Sequence, residues 1–296
     1  MTGFAVIDAP LDSSGRGRGE ERAPAALREA GLLAGLGARD AGAVAARIRD
    51  PRRDPHTGVI GAADVRRAST AIASRVRALI GARERPLVLG GDCTLLLGVF
   101  LAMPEGSGLW FVDGHADFFD GESSPTGEAA DMDLAILTGH GPRGLLEGRG
   151  PLLTPSAVEL LGHRPADLHP DVARENIRLD PAIHALTAPE VRRRGPASVG
   201  TDAAARLAGR RAWLHLDLDV LDERALPAVS YPQPLGLDWH ELVALARPLI
   251  AAPNLVGISI ADFEPDRDPE GTHAARIVEA VAALPQGVGP SYPERS

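Results

Sequence analysis

The stretch Leu109-Trp-Phe-Val-Asp113-Gly-His115-Ala-Asp117 tells more about the fold of this chain than any other. Its four apolar residues in a row predict a strand that is buried on both faces, as in a parallel sheet covered by helices. Three side chains that can bind a cation follow the strand at alternate positions. Because residues i, i+2 and i+4 of an extended segment point to one side, these three can converge. The stretch therefore predicts a buried strand that ends at a functional site.

Two further apolar runs end in polar groups in the same way. The run Pro86-Leu-Val-Leu precedes Gly-Gly-Asp-Cys93, and the run Trp213-Leu-His-Leu precedes Asp217-Leu-Asp219. Ligands of open α/β sheets bind where parallel strands end. We therefore expect the polar groups of all three segments to meet in one cleft.

Carboxylates dominate this expected cleft, which would hold Asp113, Asp117, Asp217 and Asp219 beside His115. Burying unpaired charges costs several kcal/mol, so such a group needs a cation. Carboxylate oxygens with one imidazole suit Mn²⁺ better than a structural zinc, which prefers Cys and His ligands. A two-metal cluster lowers the pKa of a bridging water to about 7 and so provides a nucleophile at neutral pH.

The rest of the chain alternates between short apolar runs and longer amphipathic stretches, which predicts an α/β fold with a mostly parallel sheet covered on both faces. The predicted strands are Phe4 to Ile7, Pro86 to Leu89, Leu109 to Val112, Val158 to Leu161, Trp213 to Leu216 and Val256 to Ile260. The predicted helices are Pro24 to Leu36, Ala62 to Ala82, Thr94 to Ala102, Leu237 to Ile250 and His273 to Leu284. Residues 1–296 are interpreted as one domain with a loose tail at 285–296. The region 168–200 supports no detailed prediction.

Composition excludes several classes of function. The net charge is −9, and all 31 basic residues are arginines, so we expect no nucleic-acid partner. No apolar run approaches the roughly 18 residues that a membrane span needs, so we expect no membrane partner. The single cysteine, Cys93, excludes an intrachain disulfide, and the first 30 residues lack the pattern of a signal peptide. The cytoplasm is therefore the expected compartment.

Taken together, the motifs resemble the metal-binding signatures of the ureohydrolase family, which includes arginase, agmatinase and formiminoglutamase. The three motifs are Gly-Gly-Asp-Cys93-Thr, Asp113-Gly-His-Ala-Asp117 and Asp217-Leu-Asp-Val-Leu-Asp222, and they resemble the family's signatures in their order and spacing. The stretch Ser-Gly-Arg-Gly-Arg-Gly near the amino terminus resembles the family's entry loop, so the resemblance covers nearly the whole chain. It implies a three-layer α/β/α sandwich that assembles as a homo-oligomer, either a trimer or a hexamer.

The resemblance also implies two Mn²⁺ ions and a hydrolytic reaction. Metal-bound hydroxide would attack the carbon of a guanidino, hydroxyguanidino or amidino group in a small cationic substrate. The residues that match the family's metal ligands are Asp113 and Asp217 as bridges, Cys93 and Asp117 at one position, and His115 and Asp219 at the other.

Four carboxylates are candidates for a catalytic role. Asp262, in Asp262-Phe-Glu264-Pro, takes the place of the family's guanidinium-binding glutamate, and Glu264 follows two residues later. Either carboxylate could bind a cationic group of the substrate. The other two candidates are Asp117, beside the expected metals, and Glu128, in the loop that follows it.

Three departures from the family pattern affect these expectations. Cys93 stands where the family has histidine, and its thiol must lose a proton to bind well, so this metal position would be weak or taken by another divalent ion. The alternative interpretation of Cys93 is a small buried residue. Ala130 stands where the family has a proton-shuttling histidine, which leaves Glu128, Asp131 or no residue for that role. Asp262 is one methylene shorter than glutamate and would misplace a guanidinium unless the substrate differs.

Three functions remain open from the sequence. The leading one is a manganese-dependent C–N hydrolase of the arginase or agmatinase type. The second is a catalytically silent relative that keeps the fold for binding or assembly, and the third is a mononuclear deacylase that uses His115 and the aspartates. The number of bound metal ions separates them.

Overall fold

The computed structural model describes residues 3–285, and these contain one sheet of eight strands in which every neighbouring pair is parallel. The order of strands across the sheet is β2-β1-β3-β8-β7-β4-β5-β6. All six predicted strands are present, and the predicted α/β class is confirmed. The strands are β1 Phe4–Ala9, β2 Arg39–Ala43, β3 Arg85–Gly90, β4 Gly108–Val112, β5 Val158–His163, β6 His184–Thr187, β7 Ala212–Asp217 and β8 Leu255–Ala261.

Helices cover both faces of this sheet. The helices are α1 Ala23–Glu29, α2 Leu32–Leu36, α3 Ala62–Gly81, α4 Leu95–Ala102, α5 Asp133–Thr138, α6 Pro170–Asn176, α7 Ala188–Arg194, α8 Pro196–Arg206, α9 Trp239–Ala251 and α10 Thr272–Ala283. Alternate residues of β4 join two separate apolar cores: Leu109 and Phe111 pack with α3, α4 and α5, whereas Trp110 and Val112 pack with α1, α2 and α7 to α10. This confirms the three-layer α/β/α sandwich. No helix in the described residues combines the length and the apolar character that a membrane crossing requires.

The sequence-based prediction differs from the structure at the edges of the sheet. The single helix predicted from Pro24 to Leu36 is two helices, because Gly31 adopts a left-handed conformation with φ 94° between them. Strands β2 and β6, which lie at the two edges, were not predicted. Their side chains are mostly exposed or half-buried, so neither strand has the apolar run that marks the central strands. Apart from Pro285, the predicted loose tail lies outside the described residues.

The polar segments found in the sequence follow four adjacent strands in the middle of the sheet, in the order β3-β8-β7-β4. The double glycine after β3 is required by close packing. A Cβ atom on Gly91 would lie 1.6 Å from the carbonyl oxygen of Leu11, so only glycine fits there. This close approach lets the backbone N–H of Asp92 donate to the carbonyl of Leu11 at 3.0 Å and places Cys93 at the end of the strand.

Candidate metal centre

A cavity of about 310 Å³ opens at the carboxyl ends of these four strands. All six residues that match the family's metal ligands line it, and so does Asp262. The six residues are Cys93 after β3, Asp113, His115 and Asp117 after β4, and Asp217 and Asp219 at the end of β7. The structure therefore brings together the side chains that the sequence placed in one cleft.

One cluster of possible ligand atoms forms around Cys93. Its Sγ atom lies 2.5 Å from Oδ2 of Asp217, 3.1 Å from Nε2 of His215 and 3.8 Å from Oδ2 of Asp113. One ligand atom from each of these four residues lies within 4.8 Å of every other. All four residues are buried, so this cluster sits deep in the cavity.

A second cluster shares Asp113 with the first. It adds His115 and Asp219, whose Nδ1 and Oδ2 atoms lie 2.7 Å apart. A third group joins Asp217, Asp219 and Asp262 within the same distance limit of 4.8 Å. The aspartates that match the family's two bridges, Asp113 and Asp217, each belong to two of the three groups.

Backbone hydrogen bonds hold the two shared carboxylates in place. Oδ1 of Asp113 accepts a hydrogen bond from the N–H of His115 at 2.6 Å, and Oδ1 of Asp217 accepts one from the N–H of Asp219 at 2.7 Å. In both residues the other oxygen, Oδ2, faces Cys93. Each carboxylate is therefore oriented through one oxygen and has the second available for a ligand.

The loop after β7 is fixed by a buried arginine. The guanidinium of Arg164 donates to the carbonyls of Asp219 at 2.9 Å and Leu221 at 2.9 Å. Oδ1 of Asp219 accepts a hydrogen bond from the N–H of Gly114 at 3.0 Å, which ties this loop to the one after β4. These hydrogen bonds hold the loop that carries Asp219, a member of the second ligand cluster, in one conformation.

Asp117 lines the cavity but lies outside the three groups of ligand atoms. It has a left-handed backbone conformation with φ 47°, and Asp262 has φ 63°. Such conformations cost roughly 1 to 3 kcal/mol in residues other than glycine and are concentrated at functional sites. The two strained residues of this cavity are both aspartates that were candidates for a catalytic role.

Burial and mutual repulsion disfavour the charged forms of the central carboxylates. Burial and the charge of Asp219 raise the pKa of Asp113 well above its usual range, and burial with Asp219 and Asp113 does the same for Asp217. Burial also raises the pKa of Asp117, with Asp113 as the next cause. Burial and the charge of Asp217 also raise the pKa of the Cys93 thiol.

The two histidines of the centre differ in their protonation. Burial opposes the charged form of His115, but Asp219 and other carboxylates outweigh it and raise the pKa of His115 to about 10. Burial lowers the pKa of His215 to about 3, so its imidazole is neutral. A cluster of buried anions with imidazole and thiol donors lacks only a counter-charge, and divalent cations supply it. These residues therefore fit metal ions.

Asp262 and Glu264, two residues apart, point into different places. Asp262 lines the cavity, and its Oδ2 atom is buried without a hydrogen-bond partner. Glu264 lies outside the cavity, and its carboxylate is bound by the hydroxyl of Ser230 at 3.0 Å and by Arg267. In an extended segment the two carboxylates would share a side, but the left-handed turn at Asp262 sends them apart. The structure therefore does not bring Glu264 to the metal centre.

Glu128 and Asp131 both face the cavity, on either side of Ala130. The guanidinium of Arg18 donates to both oxygens of Glu128, at 2.6 and 3.1 Å. Burial nevertheless raises the pKa of Glu128 to about 7, because it outweighs the attraction of Arg18. Burial raises the pKa of Asp131 to about 6, against two hydrogen bonds from hydroxyl groups. Both are carboxyls that can exchange protons near neutral pH.

The sequence reasoning missed three residues of the centre: Glu20 and Glu175 line the cavity, and His215 belongs to the ligand cluster around Cys93. His215 lies two residues before Asp217 on β7, so the period-2 rule that linked Asp217 to Asp219 would also have found it. Glu20 belongs to a short 3-10 turn, Glu20–Arg22, and carries no local signal. Glu175 lies on α6, in the region without a prediction, and its Oε1 accepts a hydrogen bond from the N–H of Phe118 at 3.1 Å.

Comparisons with known proteins place these observations in a family context. The model of the arginase family matches residues 2–284. The chain is 27% identical to an arginase of Bacillus subtilis over 292 residues, which cover 95% of this chain and 97% of that one. It is 28% identical to an arginase of Bacillus caldovelox over 300 residues, which cover 96% and 98% of the two chains.

Solved structures show the same fold. The arginase of Bacillus caldovelox superposes with a TM-score of 0.86 at 26% identity, covering 96% of this chain and 98% of that one. An agmatine ureohydrolase of Thermoplasma volcanium gives a TM-score of 0.72 at 22% identity, covering 96% and 88%. At that identity the second likeness supports the fold alone.

Proposed function

Because this chain belongs to the arginase family, we propose that it acts as a metal-dependent hydrolase of C–N bonds in guanidino or amidino groups. The proposal is carried by one observation: ligand atoms from separate loops form overlapping clusters whose members lie within 4.8 Å of one another. The family and its relatives do not favour the two alternatives, a catalytically silent relative and a mononuclear deacylase.

We propose that two divalent metal ions occupy the overlapping clusters, as Mn²⁺ does in the family. Asp113 and Asp217 would bridge the ions, Cys93 and Asp117 would complete one position, and His115 and Asp219 the other. Ions bound there supply the Lewis acidity that lowers the pKa of water to about 7. The chain's own part is to hold the carboxylates in position and to receive the substrate beside them.

The cationic end of the substrate would be received by Glu20 and Asp262. Both line the cavity, and both are buried. Burial first, and then the charge of Asp262, raise the pKa of Glu20 well above its usual range, and a bound cation would favour the charged form of its carboxyl group. A guanidinium presents several N–H donors in a fork and can bind two carboxylates at once. Glu20 would thus contact the guanidinium where the side chain of Asp262, which is one methylene shorter than glutamate, cannot.

Glu128 would exchange the proton with the leaving group. It lines the cavity, and the guanidinium of Arg18 donates to both of its oxygens. Its pKa of about 7 suits a residue that gives and takes a proton at neutral pH. Breaking the C–N bond of a guanidino compound yields urea and an amine, and the amine leaves more readily after it gains this proton.

Substrate preference follows from the charge of the cavity. Acidic side chains predominate among the described residues that line it, and no arginine is among them. We therefore expect guanidino compounds with an amine or an uncharged group at the far end to be hydrolysed about tenfold more efficiently than those with a carboxylate. The measurement is urea release by metal-saturated protein from a matched panel of such compounds. Absence of urea from every member would refute the proposed function, and a preference for the carboxylates would refute the proposed charge selection.

Replacing Glu20 by glutamine should raise KM about tenfold to a hundredfold and change kcat much less. Glutamine has nearly the size of glutamate but cannot carry a negative charge, and a hydrogen bond to a charged group contributes about 1.5 to 3 kcal/mol. Steady-state urea release from the best substrate gives both constants. Glu279→Gln is the control, because Glu279 pairs with Arg276 on the exposed side of α10. An unchanged KM in Glu20→Gln would show that Glu20 does not hold the substrate.

A further inference from the structure

His215 is held in one orientation inside the sheet. Its side chain is fully buried on β7, and its ring stacks on Phe111 with 5.3 Å between centroids. Its Nδ1 atom lies 2.8 Å from the hydroxyl oxygen of Ser259 on β8, and the indole N–H of Trp213 donates to the same oxygen at 3.0 Å. The ring is therefore fixed by stacking on one side and by a hydrogen bond at one nitrogen.

The other nitrogen of His215 faces the metal centre. Nε2 lies 3.1 Å from Sγ of Cys93 and belongs to the cluster that also contains Asp113 and Asp217. A serine hydroxyl has two acceptor sites, so Ser259 can accept from Trp213 and from an Nδ1–H of His215 together. In that tautomer Nε2 presents its lone pair to the cluster. Histidines that bind metals commonly donate their other N–H to a fixed oxygen in this way.

We propose that His215 is a metal ligand and that it forms, with Cys93, Asp113 and Asp217, a position of mixed sulfur, nitrogen and oxygen donors that binds Zn²⁺ or Co²⁺ in preference to Mn²⁺. The inference deepens the proposed metal centre and depends on it. Cys93 stands where the resemblance places an imidazole, and here an imidazole reaches the same cluster from strand β7, which is separated from β3 by β8. The chain thereby keeps an imidazole at this position while adding a thiol.

The donor set decides the metal preference. Thiolate and imidazole ligands favour Zn²⁺ and Co²⁺ over Mn²⁺, which binds most weakly in the general order of first-row divalent ions. The four donors also equal the number that zinc usually takes in proteins. Asp117, which the resemblance assigns to this position, lies outside the group of ligand atoms, and His215 would take its place there. The second cluster, with His115, Asp219 and the shared Asp113, has no sulfur donor. We therefore expect the preference for Zn²⁺ and Co²⁺ over Mn²⁺ to be stronger at the first position than at the second.

Binding of Co²⁺ tests this proposal without any assay of activity, because a thiolate bound to Co²⁺ absorbs in the near ultraviolet by charge transfer. The metal-free full chain is titrated with Co²⁺, and absorbance and bound metal are measured. We expect a charge-transfer band in the wild type and none in Cys93→Ser. His215→Asn should bind Co²⁺ at this position at least about tenfold more weakly. His163→Asn is the matched control, since His163 is buried at the end of β5 but belongs to none of the groups of possible ligand atoms in the described residues.

Competition between ions tests the preference itself. Wild-type protein exposed to equal amounts of Zn²⁺ and Mn²⁺ should retain at least one Zn²⁺ per chain, and in the double variant Cys93→His, His215→Ala a larger excess of Zn²⁺ should be needed to exclude Mn²⁺. X-ray absorption at the zinc edge of the wild type gives an independent reading, with a Zn–S distance of about 2.3 Å expected, and needs no variant to fold.

The outcomes separate this inference from the proposed function. Two bound ions per chain without a charge-transfer band or a Zn–S distance would overturn the mixed-donor position and leave the metal centre intact. Unchanged Co²⁺ affinity in a folded His215→Asn protein would overturn the role of His215. Failure of Mn²⁺, Zn²⁺ and Co²⁺ all to bind the wild type would overturn both proposals.

Discussion

Replacing Asp217 by asparagine is expected to lower kcat about a thousandfold or more, because the bound ions contribute several kcal/mol to the stabilisation of the transition state. Asp217 belongs to two groups of possible ligand atoms, and its Oδ2 atom lies 2.5 Å from Sγ of Cys93. An amide is nearly the same size but carries no negative charge. Urea release and metal content per chain are measured on wild type, on this variant and on the control Asp202→Asn, which lies on an exposed turn of α8.

The stability of the same variant distinguishes a functional carboxylate from a structural one. Burial, Asp219 and Asp113 raise the pKa of Asp217, so its charge destabilises the metal-free fold near neutral pH. Metal-free Asp217→Asn should therefore melt at or above the temperature of metal-free wild type while it loses activity. A variant that unfolds readily but keeps its metal and its urea release would contradict this role for Asp217.

Removing the metal should lower the melting temperature of the wild type by about 10 °C, the shift expected when a ligand is present at about a thousand times its dissociation constant. The reason is that the ions bind the folded state, in which the ligand clusters are assembled, and neutralise buried carboxylates. Thermal unfolding is followed before and after chelation, and elemental analysis verifies complete removal. A melt unchanged by complete removal would show that the native fold does not depend on bound metal.

The effect of chelation should grow with pH. Burial raises the pKa of Glu128 to about 7 and of Asp131 to about 6. A carboxyl with a raised folded-state pKa contributes stability that is complete below its unfolded pKa of about 4 and is lost as pH rises through the folded pKa. The metal-free protein should therefore become less stable between about pH 4 and pH 7. The metal-loaded protein should lose less, since the ions bind the deprotonated forms of ligands such as Asp113 and Asp217, whose pKa values burial raises in the metal-free protein.

The sequence predicts the centre of this fold better than its edges, for a physical reason. Strands such as β4 are buried on both faces by two helical layers, so four apolar residues in a row mark them. The edge strand β2 reads Arg-Asp-Ala-Gly-Ala, and most of its side chains are exposed, so its sequence resembles that of a loop. Strand β6 lacks an apolar run for the same reason.

The residues of the candidate site likewise fall into those that the sequence predicts and those that it does not. Ligands that directly follow a strand, such as Asp113 and Asp217, could be found from alternation along the chain, and so could His215 had the same rule been carried back along β7. Glu20 reaches the cavity only through the tertiary fold, and no local pattern marks it. Glu264 follows the alternation rule but is diverted by the left-handed conformation of Asp262, which the sequence does not reveal.

The number of divalent ions bound by each folded chain tests the central claim most directly. Wild-type protein is stripped of metal, saturated with divalent ions near neutral pH, freed of unbound ions by gel filtration and subjected to elemental analysis. The overlapping clusters around Asp113 and Asp217 predict two ions per chain and fewer in Asp217→Asn. A folded wild-type protein that retains no divalent ion would contradict the account.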